Sequence, residues 1–265
     1  MKERTGNRNR KRAAITRTLV ASLLFLLTIG IASAHAYSIG FGDQAHYFPG
    51  WSNGAADDQQ DVIGIPDILG GTVSFDATYN LTSISFSFIV GSSSTWANLT
   101  AGDLFLDVGG DGRWDFSVGS FGMTGSGPAN VYDISVPLNG ANGYVMSGAD
   151  GKWNGYNIRD DHPVAIAPGE LGAPYCTAEF EGWRAPGSPT DVVWVSYVFN
   201  QGCSINIKDG LIIGWTVNCA NDVIYERITV PETGTSILLI LGMAGICIFT
   251  GRIRKGLRRR HSYRH

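Results

Sequence analysis

Four aspartates spaced four residues apart form the most suggestive chemical pattern in this chain. They lie in GDLFLDVGGDGRWDF and are Asp103, Asp107, Asp111 and Asp115. The stretch DVGGDG matches half of an Asp-x-Asp-x-Asp-Gly calcium loop, in which a glycine turn lets oxygen ligands converge on Ca²⁺. Gly109 stands where a second acidic ligand is expected, and the bidentate glutamate is missing. The segment therefore supplies candidate Ca²⁺ ligands, and solvated turn-forming aspartates are the alternative interpretation.

Two further groups of carboxylates could take part in chemistry. Asp57, Asp58, Asp61 and Asp67 form a second acidic cluster, which could complete a calcium site if the fold brought it close. Glu179 and Glu181 would lie on one face of a strand, near the spacing of about 5–5.5 Å that a retaining glycosidase needs. The longer Glu-x-Asp-x-x-Glu pattern of β-sandwich glycosidases is absent, so the sequence favours a protein without catalytic activity.

Cysteines and histidines give less information. Cys176, Cys203 and Cys219 precede the C-terminal apolar run, whereas Cys247 lies within it. An odd number allows at most one internal disulfide in an exported domain, and both Cys203–Cys219 and Cys176–Cys219 are candidates. With His46 and His162 as the only histidines there, a zinc site is not indicated. No nucleophile elbow, Walker loop or His-Glu-x-x-His motif occurs.

Short β-type segments separated by Gly, Asn and Asp provide the framework for these residues. Residues 81–90 alternate Ile and Phe with Ser, which is typical of a strand with one buried face. Residues 192–199 are apolar on both faces and predict a central core strand, and residues 163–189 read as an irregular excursion. Other strands are expected at 72–76, 104–108, 114–118, 131–136, 144–146, 211–217 and 223–228. We expect an all-β fold: one jelly-roll-like β-sandwich domain over residues 37–229.

Seven tryptophans bear on ligand binding, because sugar-binding faces use indole rings. Two of them lie in apolar strands, so Trp194 and Trp215 are expected in the core. The others are Trp51, Trp96, Trp114, Trp153 and Trp183.

Charge is segregated along the chain. Fourteen of the 20 Lys and Arg residues lie before position 20 or after position 250. Between Tyr37 and Gly234 there are six basic and 22 acidic residues, a net charge of −16. Such a domain repels phosphate backbones, which excludes nucleic acid as a partner.

Both ends of the chain have the composition of targeting segments. Residues 1–36 are typical of a secretory signal peptide, with a basic stretch, an apolar run at 19–31 and small-residue cleavage sites ending at Ala34 or Ala36. Secretion machinery and a signal peptidase are therefore expected partners. Near the other end, VPETG is followed by a transmembrane segment at 235–251 and a basic tail at 252–265. The apolar core of that segment is shorter than the ~20 residues of a full span, and the arginines predict a cytoplasmic C-terminus.

The motif Val230, Pro231, Glu232, Thr233, Gly234 with this tail resembles the PEP-CTERM class of sorting signals. The stretches DVIGIPDI, GDLFLDVGGDGRWDF and GWTVNCANDVIY are also similar to PEP-CTERM proteins of Gram-negative bacteria, for which no biochemical activity is established. The resemblance implies that an exosortase recognises Pro231 and Glu232 and removes the residues after them. Thr233 replaces the usual second proline, so VPETG also resembles the sortase signal LPxTG, which would be cut after Thr233. An ordinary single-pass anchor is the third interpretation.

These observations lead to an expected function. The chain reads as a non-catalytic protein of the cell envelope or extracellular matrix, membrane-associated as a precursor and sorted by an exosortase-type enzyme. Extracellular polysaccharide is the expected partner, and Ca²⁺ is the candidate cofactor. The alternatives are a secreted carbohydrate-active hydrolase with Glu179 and Glu181 as its acid/base pair, and a sortase-anchored surface protein.

Overall fold

Twelve β-strands account for all regular structure in the residues that the computed structural model describes, which are 36–44, 66–89, 99–137, 145–147, 163–167, 169–183 and 191–231. The chain forms two compact units, Met1–Ile228 and Thr229–His265, and every strand belongs to the first. The strands are β1 Tyr37–Phe41, β2 Asp67–Phe75, β3 Leu81–Ile89, β4 Leu104–Val108, β5 Arg113–Gly119, β6 Gly127–Pro137, β7 Val145–Ser147, β8 Pro163–Ile166, β9 Cys176–Glu181, β10 Val192–Phe199, β11 Leu211–Thr216 and β12 Val223–Ile228.

The all-β class predicted from the sequence is confirmed, and most predicted strands are present within two or three residues. The interpretation of residues 163–189 as an irregular excursion is wrong in two places, because β8 and β9 lie there. Strand β1 was also not predicted. β2 begins five residues earlier than the periodicity indicated, since Gly70 and Gly71 interrupt its apolar pattern.

Ten strands form one antiparallel sheet in the order β1-β2-β3-β10-β9-β6-β5-β4-β11-β12, and β7 pairs with β8. Local hairpins join β2 to β3 and β4 to β5, as the turn residues predicted. The β2–β3 turn is stabilised by the Asp76 carboxylate, which accepts hydrogen bonds from the backbone N–H of Thr78 at 2.7 Å and of Asn80 at 2.9 Å. The pairings of β3 with β10 and of β4 with β11 connect segments more than 100 residues apart.

The sheet folds over so that its two halves enclose the core. Phe86 of β3 stacks on Trp215 of β11 with ring centroids 4.6 Å apart, although five strands lie between β3 and β11 in the sheet order. The Tyr197 hydroxyl lies 2.8 Å from both the Trp215 indole Nε1 and the Ser120 hydroxyl. Complete burial of each apolar side chain in this interior contributes about 1.5–3 kcal/mol.

The first and last strands of the sheet also meet. Asp222, before β12, is fully buried, and its carboxylate accepts a hydrogen bond from the Ile68 N–H of β2. The Gln44 N–H donates to Glu226 Oε1 of β12 at 3.1 Å. These contacts hold the folded-over arrangement, which leaves the opposite face of β1, β2, β3, β10 and β9 on the outside.

Candidate functional site

The aspartates of the β4–β5 segment accept hydrogen bonds from the surrounding backbone. Asp107 is fully buried, and its carboxylate accepts hydrogen bonds from the backbone N–H groups of Gly110, Asp111 and Gly112 at 3.0–3.1 Å. Asp111 in turn accepts one from the Arg113 N–H at 3.0 Å. Such bonds shape a tight turn. The alternative interpretation expected solvated turn-forming aspartates; the turn-forming part agrees with the structure, but Asp107 is buried and not solvated.

Asp115 has a similar role, one strand further along. Its Oδ2 accepts a hydrogen bond from the Val108 N–H at 2.6 Å, across the β4–β5 hairpin. Burial raises the pKa of this carboxyl, and the negative charges of Asp107, Asp111 and Asp133 add to the effect. Asp115 therefore stabilises the hairpin at a cost in charge repulsion.

Asp103 lies deeper, at the point where three segments meet. Its Oδ1 accepts hydrogen bonds from the Ser120 and Phe121 N–H groups at 2.9 and 2.8 Å, and its Oδ2 accepts one from the Ile166 N–H at 2.9 Å. Burial raises the pKa of Asp103 to about 6, while the three hydrogen bonds act in the opposite direction. Asp103 thus attaches β8 to the segment that follows β5.

The predicted calcium site has no assembled ligand set in the described part of the chain. Among those residues, no group of three or more His, Cys, Asp or Glu side chains is placed to hold a metal ion. Asp67 begins β2, whereas Asp57, Asp58 and Asp61 lie outside the described residues. Calcium binding therefore stays a prediction.

The cysteine pairing differs from both candidates of the sequence analysis. Cys176 and Cys203 form a disulfide, with Cα atoms 5.4 Å apart, and Cys219 is a buried free thiol. The predicted Cys203–Cys219 bond is therefore wrong. The physical reason is tertiary: β9 pairs with β10, so the start of β9 lies beside the turn that leaves β10. Burial raises the pKa of the Cys219 thiol to about 11, which keeps it protonated and unreactive.

Glu179 and Glu181 do lie on one face of a strand, as predicted. Both belong to β9, where Glu179 pairs with Val198 and Glu181 with Ser196 of β10. Glu181 is exposed and Glu179 is half-buried. General acids of glycosidases lie in apolar surroundings that raise their pKa, and an exposed position on an open sheet face is a different setting.

Trp194 is the main surprise of the structure. The prediction that it lies in the core is wrong, because 51% of the residue is exposed on β10. Trp215, by contrast, is fully buried as predicted. Strand β10 alternates between buried and exposed positions along its whole length, so its outer face presents the apolar residues Val192, Trp194 and Val198.

The strands beside Trp194 present small polar groups on the same face. One row across the sheet is defined by register and consists of Gly40, Thr72, Ser85, Ser196 and Glu181. The next row consists of Ser38, Ser74, Ser83, Val198 and Glu179. We call the outer face formed by these ten residues and Trp194 the β10 face.

Hydroxyl groups of the β10 face contact one another. Thr72 Oγ1 and Ser85 Oγ are 2.6 Å apart, and the Ser74 hydroxyl donates to Ser38 Oγ at 3.4 Å. Each hydroxyl can donate one hydrogen bond and accept two, so these pairs retain capacity for a ligand. The alternation of Ser in residues 81–90 signalled a polar face, but only the register shows that Trp194 belongs to it.

The remaining tryptophans divide between the core and the undescribed segments. Trp114 and Trp183 are buried, at 1% and 6% exposure. Trp51, Trp96 and Trp153 lie outside the described residues. Among the tryptophans that the structure describes, Trp194 alone offers an exposed ring.

The predicted sorting motif lies at the limit of the described chain. Val230 and Pro231 are described, whereas Glu232, Thr233, Gly234, the apolar segment after them and residues 1–35 of the predicted signal peptide lie outside the described residues. Within the described ranges, no helix has the length and apolar character needed to cross a membrane. No family model, no curated protein and no solved structure matches this chain.

Proposed function

We propose that this protein is a non-catalytic component of the cell envelope or extracellular matrix that contacts polysaccharide through the β10 face. The observation that carries the proposal is the exposure of Trp194 on the outer face of β10, beside two rows rich in hydroxyl groups. Tryptophan is largely buried on average, and it is enriched among the residues that contribute most to binding. A half-exposed tryptophan is therefore a candidate contact residue.

The sorting route rests on the sequence. The N-terminal signal peptide supports export, and the VPETG motif with its apolar segment and basic tail supports processing by an exosortase-type enzyme. A sortase that joins Thr233 to the cell wall is the alternative. The disulfide between Cys176 and Cys203 agrees with an oxidising compartment, where such bonds persist.

For the fold, we propose a β-sandwich of jelly-roll type. The stacking of Phe86 on Trp215 supports it, because the two rings come from opposite halves of the sheet order and meet in the interior. Pairing of strands distant in sequence, such as β3 with β10, also fits this topology.

A secreted carbohydrate-active hydrolase remains the alternative, with Glu179 and Glu181 as acid and base. In that case Glu181→Gln would abolish release of reducing ends from polysaccharide. Glu181 is exposed and Glu179 is only half-buried, which favours binding without turnover, because neither residue is the fully buried acid that a raised pKa requires.

The test is a depletion assay on insoluble polysaccharides, with reducing ends measured in the same tubes. We expect saturable loss of the full-length protein from solution on at least one polysaccharide, and no increase in reducing ends over time. Failure to bind any polysaccharide would contradict the proposed function. Hydrolysis that Glu181→Gln eliminates would replace it with the hydrolase alternative.

A further inference from the structure

We propose that the β10 face is a platform for a neutral polysaccharide chain, with Trp194 as the stacking residue and the row from Thr72 to Glu181 as its polar track. This inference rests on the proposed function and adds the contact residues and the ligand class. Three observations support it: the exposed ring of Trp194, the row of hydroxyl groups, and the charge of strands β1, β2, β3, β9 and β10.

Trp194 provides an apolar surface suited to a sugar ring. The residue is 51% exposed, and Val192 and Val198 on the same face of β10 are 46% and 39% exposed. Sugar rings have a face of C–H groups that can pack on an indole, while their hydroxyls point sideways. The exposed indole of Trp194, with its apolar neighbours along β10, can therefore pack against the C–H face of a sugar ring in a polysaccharide.

The chain leaves β9 beside Trp194. The pairing of β9 with β10 ends at Glu181, opposite Ser196, one residue pair before it would reach the position of Trp194. Gly182 then turns the chain at φ +92°, and Trp183 enters the core. A Cβ on Gly182 would lie 2.3 Å from the Trp194 carbonyl oxygen, so this close approach requires glycine.

The polar row next to Trp194 runs across the strands and can form hydrogen bonds with the hydroxyl groups at the edge of a sugar ring. It crosses β2, β3, β10 and β9 through Thr72, Ser85, Ser196 and Glu181. With strands about 4.8 Å apart, those four positions span about 14 Å. Hydroxyls at three positions can donate or accept, and the exposed Glu181 carboxylate accepts hydrogen bonds from sugar hydroxyls.

The charge of these strands favours a neutral polysaccharide over an anionic one. Strands β1, β2, β3, β9 and β10 contain no Lys or Arg, whereas Asp67, Glu179 and Glu181 are acidic. An anionic polysaccharide would find repulsion and no ion pair on these strands. A second copy of this chain would bring the same carboxylates towards each other, which disfavours self-association through the β10 face.

The experiment is affinity electrophoresis of the full chain in detergent, in gels that contain hydroxyethyl cellulose or dextran as neutral probes and polygalacturonate as the anionic probe. Trp194→Ala should weaken binding to a neutral probe at least tenfold, and Trp194→Phe should restore part of it. The matched control is Tyr175→Ala, which removes a ring that is 44% exposed and contacts Phe116 of β5. It should leave binding unchanged.

The outcomes separate this inference from the proposed function. Binding by wild type that Trp194→Ala leaves intact would overturn the β10 face as the contact site, whereas polysaccharide binding by an envelope or matrix protein would stand. Absence of binding to every polysaccharide, including the insoluble ones above, would overturn both. Tighter binding to polygalacturonate, weakened by salt, would overturn the neutral ligand class. Dimers that Trp194→Ala separates, without any neutral-probe binding, would assign the β10 face to a second copy.

Discussion

Removing the disulfide should cost a large part of the stability of the folded domain. Cys176 begins β9, Cys203 lies in the turn after β10, and the two are 27 residues apart in sequence. Closing a loop of this length lowers the entropy of the unfolded chain and stabilises the fold by about 3.5 kcal/mol. Domains are typically stable by about 5–15 kcal/mol, so the loss would be readily measured.

Urea unfolding of the full chain provides the assay. Cys176→Ala and Cys203→Ala should each lower the free energy of unfolding by about 3.5 kcal/mol, and the double variant by little more than either single one. That strong non-additivity is expected because each substitution alone breaks the same bond. The matched control is Cys219→Ala, which removes a buried thiol and leaves the disulfide intact.

Thiol counting checks the pairing independently. The chain has 4 cysteines, so the denatured, unreduced protein should react with alkylating reagent at Cys219 and Cys247 only. An additive loss of stability in the double variant would refute the reasoning. So would protection of Cys219 from alkylation, because it would mean that Cys219 takes part in a bond.

Three further predictions concern pH, backbone strain and processing. Burial raises the pKa of Asp103 from 3.8 to about 6, so the folded state binds the proton more tightly than the unfolded state. As the pH falls from 7 to 4, the free energy of unfolding of wild type should therefore rise relative to that of Asp103→Asn, by up to about 3 kcal/mol. A difference between the two proteins that does not change with pH would contradict this. Gly182→Ala should lower the free energy of unfolding by about 2 kcal/mol or more in chemical denaturation, because φ at this position is +92° and the added Cβ would meet a backbone oxygen. The control Gly172→Ala, whose added Cβ would have nothing within 4 Å, should leave the free energy of unfolding nearly unchanged. Equal effects of the two substitutions would refute the strain argument. Replacing Pro231 and Glu232 by Ala should leave precursor uncleaved on immunoblots of the producing cells, whereas normal processing would argue against an exosortase.

Local patterns in the sequence were sufficient for most of the strands. Residues 81–90 alternate so regularly that the strand, its buried face and its polar face could all be predicted. Strands β8 and β9 were missed because their segment is rich in Pro and Gly. Part of what holds β8 is a distant group, the Asp103 carboxylate that binds the Ile166 N–H.

The candidate site could be predicted only in part. Glu179 and Glu181 were placed on one strand face from their spacing, but the position of that face in the sheet depends on β10 pairing between β3 and β9. Trp194 was assigned to the core because both faces of β10 are apolar. Its exposure depends on how β10 sits in the sheet: its register with β3 places Trp194 on the same face as Ser83, Ser85 and Ser87, which the sequence of β10 alone does not show.

The most direct test of the account is intact-mass spectrometry of this protein recovered from the polysaccharide matrix of its native host. The account predicts that the protein is found in that fraction, begins near His35 or Tyr37 and ends near Glu232 or Thr233, with or without an attached group. A chain that still carries Arg258 to His265 and stays with the membrane would contradict the account, because the C-terminal segment would then be a permanent anchor.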